Sequence, residues 1–209
     1  MNKVIIFLLF IFLIAGCNKK YEEDETEKAQ EAYDKKVQEE LNSGIRNDTI
    51  FLGYTFGMTK NQAEKKTKEH YKQHILYIND DNYYAYEMSL EKDDKAEATF
   101  APSYFKNRLN ALTVDVKPKG YFARLLYNPG LLQITLVNLY VEKYGYSYIK
   151  QEGAFDNDYI FIQGNREIKV IQTIKNVRIF YTDLSIQNEV KKFQDEESDK
   201  NVNDTKSNL

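Results

Sequence analysis

Among its 209 residues the chain has one cysteine, no tryptophan and only two histidines, and each scarcity removes a class of function. A lone cysteine closes no internal disulfide and supplies no thiolate cluster for a metal. The absence of indole weakens the case for a site that stacks sugar rings. There is no Gly-x-Ser-x-Gly elbow, no glycine loop to cradle phosphate and no Asp-x-Asp-x-Asp-Gly loop for calcium. Positive charge is not concentrated either: residues 49–194 hold seventeen acids against twenty bases. Nucleic acid, which selects a basic face, is therefore not an expected partner.

What is present begins with the cysteine's position. Val4–Ile14 is a run of eleven apolar residues behind one cation, Lys3. At about 1.5 Å per residue it covers roughly half of a ~30 Å hydrocarbon core, too little for a permanent span but suited to a secretory signal. Leu13-Ile14-Ala15-Gly16-Cys17 resembles the lipobox of bacterial lipoproteins. The resemblance implies cleavage before Cys17, diacylglycerol on its sulfur and a membrane partner held through acyl chains; two or three chains suffice for stable attachment. Residues 1–16 are then a signal peptide, and the expected location is the bacterial cell envelope, at the outer membrane or cell surface of a Gram-negative cell.

Residues 17–48 read as a charged tether, with ten acids against six bases from 18 onward. Within it Tyr33, Val37 and Leu41 recur every four residues, which predicts a helix over 26–42 with a narrow apolar stripe, either docked on the domain or acting as a spacer. The folded domain is expected over 49–194. Thr59 with Gln62 forms a capping box and Met58 with Ala63 a hydrophobic staple, predicting a helix from Lys60 to about Gln73 whose inner face carries Ala63, Thr67, His70 and His74. Strands follow over 84–90, 96–100 and 109–116, with Pro118-Lys119-Gly120 as punctuation. The pattern then restarts. Asn128-Pro129 opens a helix that Gly145 closes, although the β-branched Ile134, Val137 and Val141 would also suit a strand. Strands over 159–163 and 167–172 flank a Gly164-Asn165 hairpin, and Val177 to Tyr181 completes the set. The expected fold is α+β: a helix plus a three-stranded antiparallel sheet, repeated about twice over 50–120 and 121–182. A terminal helix or fray is expected over 183–193, and a disordered tail over 195–209.

The segment Phe51-Leu-Gly-Tyr-Thr-Phe-Gly-Met-Thr59 resembles the start of small lipoproteins of the outer-membrane-assembly type. It is also similar to the repeats of the secreted β-lactamase inhibitor protein, in which such a segment leads into a helix and then strands. Leu139-Tyr140-Val141-Glu142-Lys143-Tyr144-Gly145 resembles the end of the matching helix. The second unit departs from the pattern by lacking its own Gly-Met-Thr, and the inhibitor's cysteines are missing. The resemblance implies a fold and a binding role through a sheet face, and transfers no functional residue.

His70 and His74, four apart, could reach one metal, but Tyr71 stands where the zinc-protease motif has Glu. Packing along the helix is the alternative, so a metal-binding protein or envelope hydrolase is the second reading. Asp80-Asp81, Asp93-Asp94 and Asp156-Asn157-Asp158 fall at expected turns, where carboxylates favour chain reversal. The seventeen tyrosines are the remaining signal. Tyr83, Tyr84 and Tyr86 share one stretch and are the interface candidates, since tyrosine supplies rigid contact area with a polar tip; strand formation alone or a glycan site are the competing uses. The leading expectation is a non-enzymatic protein-binding or assembly module, lipid-anchored and without a cofactor. Cys17→Ser should abolish palmitate labelling and yield a soluble or unprocessed protein in fractionated cells; unchanged membrane attachment would refute the acyl anchor.

Overall fold

The computed structural model describes residues 26–90, 94–120, 128–145 and 148–207, with side chains through residue 198. The signal run, Cys17 and the acids at 22–25 lie outside the described residues. Helix α1 covers 26–42, where the four-residue spacing placed it. Helix α2, Lys60–Lys72, begins at the capping box: the Thr59 side chain accepts from the Gln62 N–H while the Gln62 side chain accepts from the Thr59 N–H. Strands β1 (Tyr77–Ile78), β2 (Tyr84–Ser89), β3 (Lys95–Phe105) and β4 (Arg108–Lys119) follow. Helix α3, Pro129–Tyr144, is capped by the Asn128 side chain, carries proline in its first turn and stops at Gly145 with φ 85°. Then come β5 (Tyr148–Gln151), β6 (Asp158–Gln163), β7 (Arg166–Gln172), β8 (Val177–Asp183) and α4 (Gln187–Ser207). Helix α4 continues into the residues whose composition suggested a disordered tail.

The strands form one antiparallel sheet in the order β1-β2-β3-β4-β8-β7-β6-β5. This corrects the expectation of two three-stranded sheets. Each half is a helix followed by four strands, and β4 pairs with β8 from Ala111↔Thr182 to Val116↔Val177, fusing the halves into eight strands. The strand missed in each half is the same one, the edge strand directly after the helix. At two and four residues, β1 and β5 are too short to carry an alternating pattern, and short edges protect a sheet from further pairing.

Helices α2 and α3 lie on one side of the sheet. Ala63 of α2 and Leu132, Leu136 and Val137 of α3 pack on Leu112, Val114, Val116, Ile168, Val170 and Ile179. Helix α1 lies on the other side, over one half only, with Tyr33, Val37 and Leu41 against Ile149, Ile160, Ile162 and Leu184. Sequence texture follows this coverage. Strand β6 is apolar from Tyr159 to Ile162 because both of its faces are covered, whereas β4 alternates Leu112, Val114 and Val116 with Thr113, Asp115 and Lys117 because its second face is open.

The three prolines sit where a missing N–H costs nothing. Pro129 is at the start of α3. Across the β2–β3 turn Leu90 N–H donates to Asp94 O, and the alternation of ladder groups then points Ala96, Ala98, Phe100 and Pro102 toward β2. Strand β2 stops opposite Thr99, so Pro102 faces an unpaired edge. By the same alternation Pro118, opposite Ala96, faces the β8 side beyond its last pair, Val116↔Val177.

The Gly164-Asn165 hairpin fastens α1 and the chain after it. Gly164 N–H donates to Glu40 Oε2 at 2.8 Å. Asn165 Oδ1 accepts from the Asn47 N–H at 2.7 Å, and its Nδ2 donates to Asp48 and to Asp183 at 3.0 and 3.1 Å. Tyr33 OH donates to Glu167 at 2.6 Å. Burial pushes the Glu167 carboxyl above its ordinary pKa, against the opposing pull of the Tyr33 hydrogen bond and Lys169. At Gly164 φ is 58°, and a Cβ would lie 2.3 Å from Ile45 O. Gly57, at φ 81°, has open space around it. Gly57→Ala should thus cost only the left-handed backbone term, about 1–2 kcal/mol. Gly164→Ala should cost clearly more, by roughly a further 1–3 kcal/mol from the clash. Urea unfolding of the two variants checks this, and equal midpoints would contradict it.

Candidate functional site

The segment before α2 makes the most distinctive surface. Thr49 bridges Thr55, Ile50 N–H donates to Tyr54 O at 2.8 Å, and a single 3-10 turn spans Phe51–Gly53 with Leu52 at φ 51°. A left-handed leucine is strained, and this tight loop drives Phe51 and Tyr54 against the sheet. The Phe51 ring lies 5.8 Å from Tyr86 and 6.1 Å from Phe100, and the Tyr54 ring lies 5.5 Å from Phe100. The two rings act as a wedge between two grooves.

The groove beside α2, about 500 Å³, is walled by Tyr54, Ala63, Thr67, Tyr84, Phe100 and Tyr104, with the exposed Glu64 and Lys68 at its rim. Thr67 Oγ1 donates to Ala63 O at 2.9 Å and lies 2.5 Å from Tyr54 OH. Burial raises the Tyr54 pKa against the lowering effect of that bond; burial and then the Glu64 charge raise that of Tyr104. The groove beside α3, about 410 Å³, is walled by Phe51, Leu52, Tyr86, Met88, Leu139, Tyr140, Lys143 and Tyr144. On its floor the hydroxyls of Tyr140 and Tyr181 meet, and burial holds both phenols protonated far above the usual range. Tyr144 is stacked on Tyr140 with ring centres 5.8 Å apart and lies under the Arg166 guanidinium at 4.7 Å. Both volumes fall in the range of ligand and side-chain pockets, and their walls are mainly aromatic with phenolic tips.

Of the sequence candidates, Tyr83 precedes β2 and is 65% exposed beside the first groove. Tyr84 lines that groove and meets Tyr71 of α2 edge-on at 5.6 Å. Tyr86 lines the second. Tyr84 and Tyr86 therefore belong to the helix-bearing side of the sheet and are divided between two grooves, whereas Tyr83, bonded through its backbone to Asn79, stands at the rim of the first. Phe51, Tyr54, Phe100, Tyr104, Tyr140 and Tyr144 complete the walls. In the sequence Tyr140 and Tyr144 stood out only as part of the helix end before Gly145, and Phe51 and Tyr54 only as the lead into α2.

The histidines are not brought together. Helix α2 ends at Lys72, and His74 lies beyond it, exposed, in left-handed geometry with φ 59°. His70 is half-buried, edge-on to Tyr54 at 6.1 Å, with Nδ1 buried and unpartnered. Burial, and then Lys66, lower its pKa against Glu69. Among the described residues no three His, Cys, Asp or Glu side chains gather as a metal site. Comparison with protein-family models, curated proteins and solved structures finds no match. The functional reading accordingly rests on the geometry of this chain.

The open half of the opposite sheet face carries a polar cluster. Glu97 accepts from Tyr77 OH at 2.7 Å and Asn79 Nδ2 at 3.0 Å, and pairs with Lys117 at 3.0 Å. Lys119 pairs with Glu87 at 2.6 Å and lies over the Tyr77 ring at 4.3 Å. Burial alone would raise the Glu97 pKa, but its three donors outweigh burial and hold it below the ordinary 4.5. A carboxyl with a depressed folded-state pKa stabilises the fold above its unfolded value and loses that contribution as pH falls through the folded one. Glu97→Gln should cost about 1–3 kcal/mol at pH 7 and flatten the loss of stability below pH 4.5. Urea midpoints measured across that range test it; parallel curves for the two proteins would contradict the assignment.

Proposed function

We propose that this protein is a lipid-anchored envelope component that works by non-enzymatic protein binding, with the helix-bearing side of its sheet as the contact surface. The supporting observation is the pair of tyrosine-walled grooves flanking the Phe51–Tyr54 wedge. Aromatic rings give large contact area for little loss of side-chain freedom, and phenolic tips tolerate both water and a desolvated interface. Buried Ala63, Leu136 and Tyr181 beneath them keep the walls rigid, so a partner orders few groups of this chain on binding. The charged rim, Glu64 and Lys68 at one groove and Lys143 at the other, offers orientation by charge. The anchor follows from the lipobox reading of Cys17, and α1 occupies the chain between anchor and domain.

A photo-crosslinking residue in place of the exposed Tyr83, in the full chain expressed in a bacterial envelope, provides the test. A discrete protein adduct is expected, lost on Tyr104→Ala when circular dichroism reports an unchanged fold. An adduct indifferent to Tyr104, or none at all, would overturn the groove as the contact surface.

A further inference from the structure

One end of the molecule exposes four large apolar side chains, and the course of α1 leads to that end. Strand β6 begins there and β7 ends there, so the β5–β6 loop and the β7–β8 turn share it. Helix α3 also starts there, because Gln133 Nε2 donates to Asn157 O at 2.9 Å and to Val170 O at 3.2 Å. Phe155 in the loop is 54% exposed, Ile174 in the turn 75%, and Leu131 and Ile134 on α3 are 45% and 47% exposed. The outward stripe of α3 changes character along its length. It reads Leu131 and Ile134 at this end, then Asn138 and Glu142 toward the other, all four exposed. Burial in the fold does not demand Leu131 or Ile134, and polar residues serve the rest of the same stripe. Lys150 and Lys175 are exposed cations on the same end, with Glu152 and Asp156 as exposed acids beside them.

The direction of α1 says what faces this surface. Glu40 is fastened to Gly164 at the opposite end of β6, and the residues before it, Ala32, Lys35 and Lys36, run back over Ile149, Ile160 and Ile162 of β5 and β6. The helix therefore points its first residue, Thr26, toward the apolar end. Cys17 precedes Thr26 by nine residues, which span at most about 30 Å when extended.

We propose that this end, through Leu131, Ile134, Phe155 and Ile174, rests in the interfacial region of the lipid bilayer. Exposed aliphatic and aromatic tips are the chemistry of shallow insertion at the headgroup boundary. The grooves then open sideways between membrane and solvent, and the hairpin at Gly164 points away from the bilayer. The inference rests on the acylation of Cys17 argued above and adds an orientation to it.

The absence of tryptophan permits a direct test. The full-length acylated protein is placed in vesicles of phosphatidylethanolamine and phosphatidylglycerol with brominated acyl chains, carrying Phe155→Trp or Ile174→Trp. Ile45→Trp and Phe193→Trp serve as controls at the opposite end, where Ile45 lies against Gly164 and Phe193 lies 5.7 Å from Phe105. Emission from positions 155 and 174 should be blue-shifted and quenched by roughly half, as insertion into the headgroup and acyl boundary predicts, with the controls little changed. Equal quenching at both ends, or none at 155 and 174 in protein that floats with the vesicles, would overturn the proposed surface. The anchor fails separately, through flotation alone, if Cys17→Ser protein still floats.

Discussion

Six residue pairs between β4 and β8 hold the architecture together. Without them the chain would be two helix-plus-meander units, each with one apolar sheet face covered by a single helix. Pairing the last strand of each meander makes the apolar faces continuous and places α2 and α3 on the same side. Leu112, Val114 and Val116 thus share one core with Ile179 and Tyr181. The grooves are a product of that seam. Two helices on one broad twisted sheet cannot cover it completely, and the Phe51–Tyr54 wedge fills the middle of the gap while leaving room on either side.

Local chemistry was readable in the sequence wherever it was written in a few adjacent residues. The Thr59–Gln62 capping box, the Asn128-Pro129 start and Gly145 stop of α3, and the Gly164-Asn165 hairpin are all set by backbone hydrogen bonding within a turn. The β-branched Ile134, Val137 and Val141 did not divert α3 into a strand, because cap, stop and core-facing leucines all favoured the helix. The seam was not readable. It joins residues more than sixty positions apart, and β4 and β8 present ordinary half-buried alternation that any neighbour could satisfy. Nor was the division of the tyrosines visible: Tyr84 and Tyr86 share a face by spacing, but the ring inserted between their grooves comes from a loop thirty residues earlier. His74 missed the helix because α2 ends two residues before it, and the chain there turns through a left-handed conformation.

Helix α1 illustrates how coverage, rather than propensity, decides pattern. Its stripe of Tyr33, Val37 and Leu41 is too narrow to nucleate a core, yet it matches the extra apolar face that β5 and β6 carry. The equivalent face of the first half has Thr99, Asp115, Glu97 and Lys117 in its place, with Glu97 paired to Lys117 and Asp115 to Arg178 of β8. Two halves with the same order of elements therefore differ on the side where only one of them is covered.

The prolines at 102 and 118 bear on crowding. A strand arriving at either overhang would find carbonyl acceptors but, at the proline, no donor to answer its own carbonyl. Such a site acts like an impurity on a crystal terrace: the first layer is complete and the next cannot register. Crowded copies are kept apart by that, because the two lengths of interior strand that their neighbours leave unpaired are poor templates for another chain.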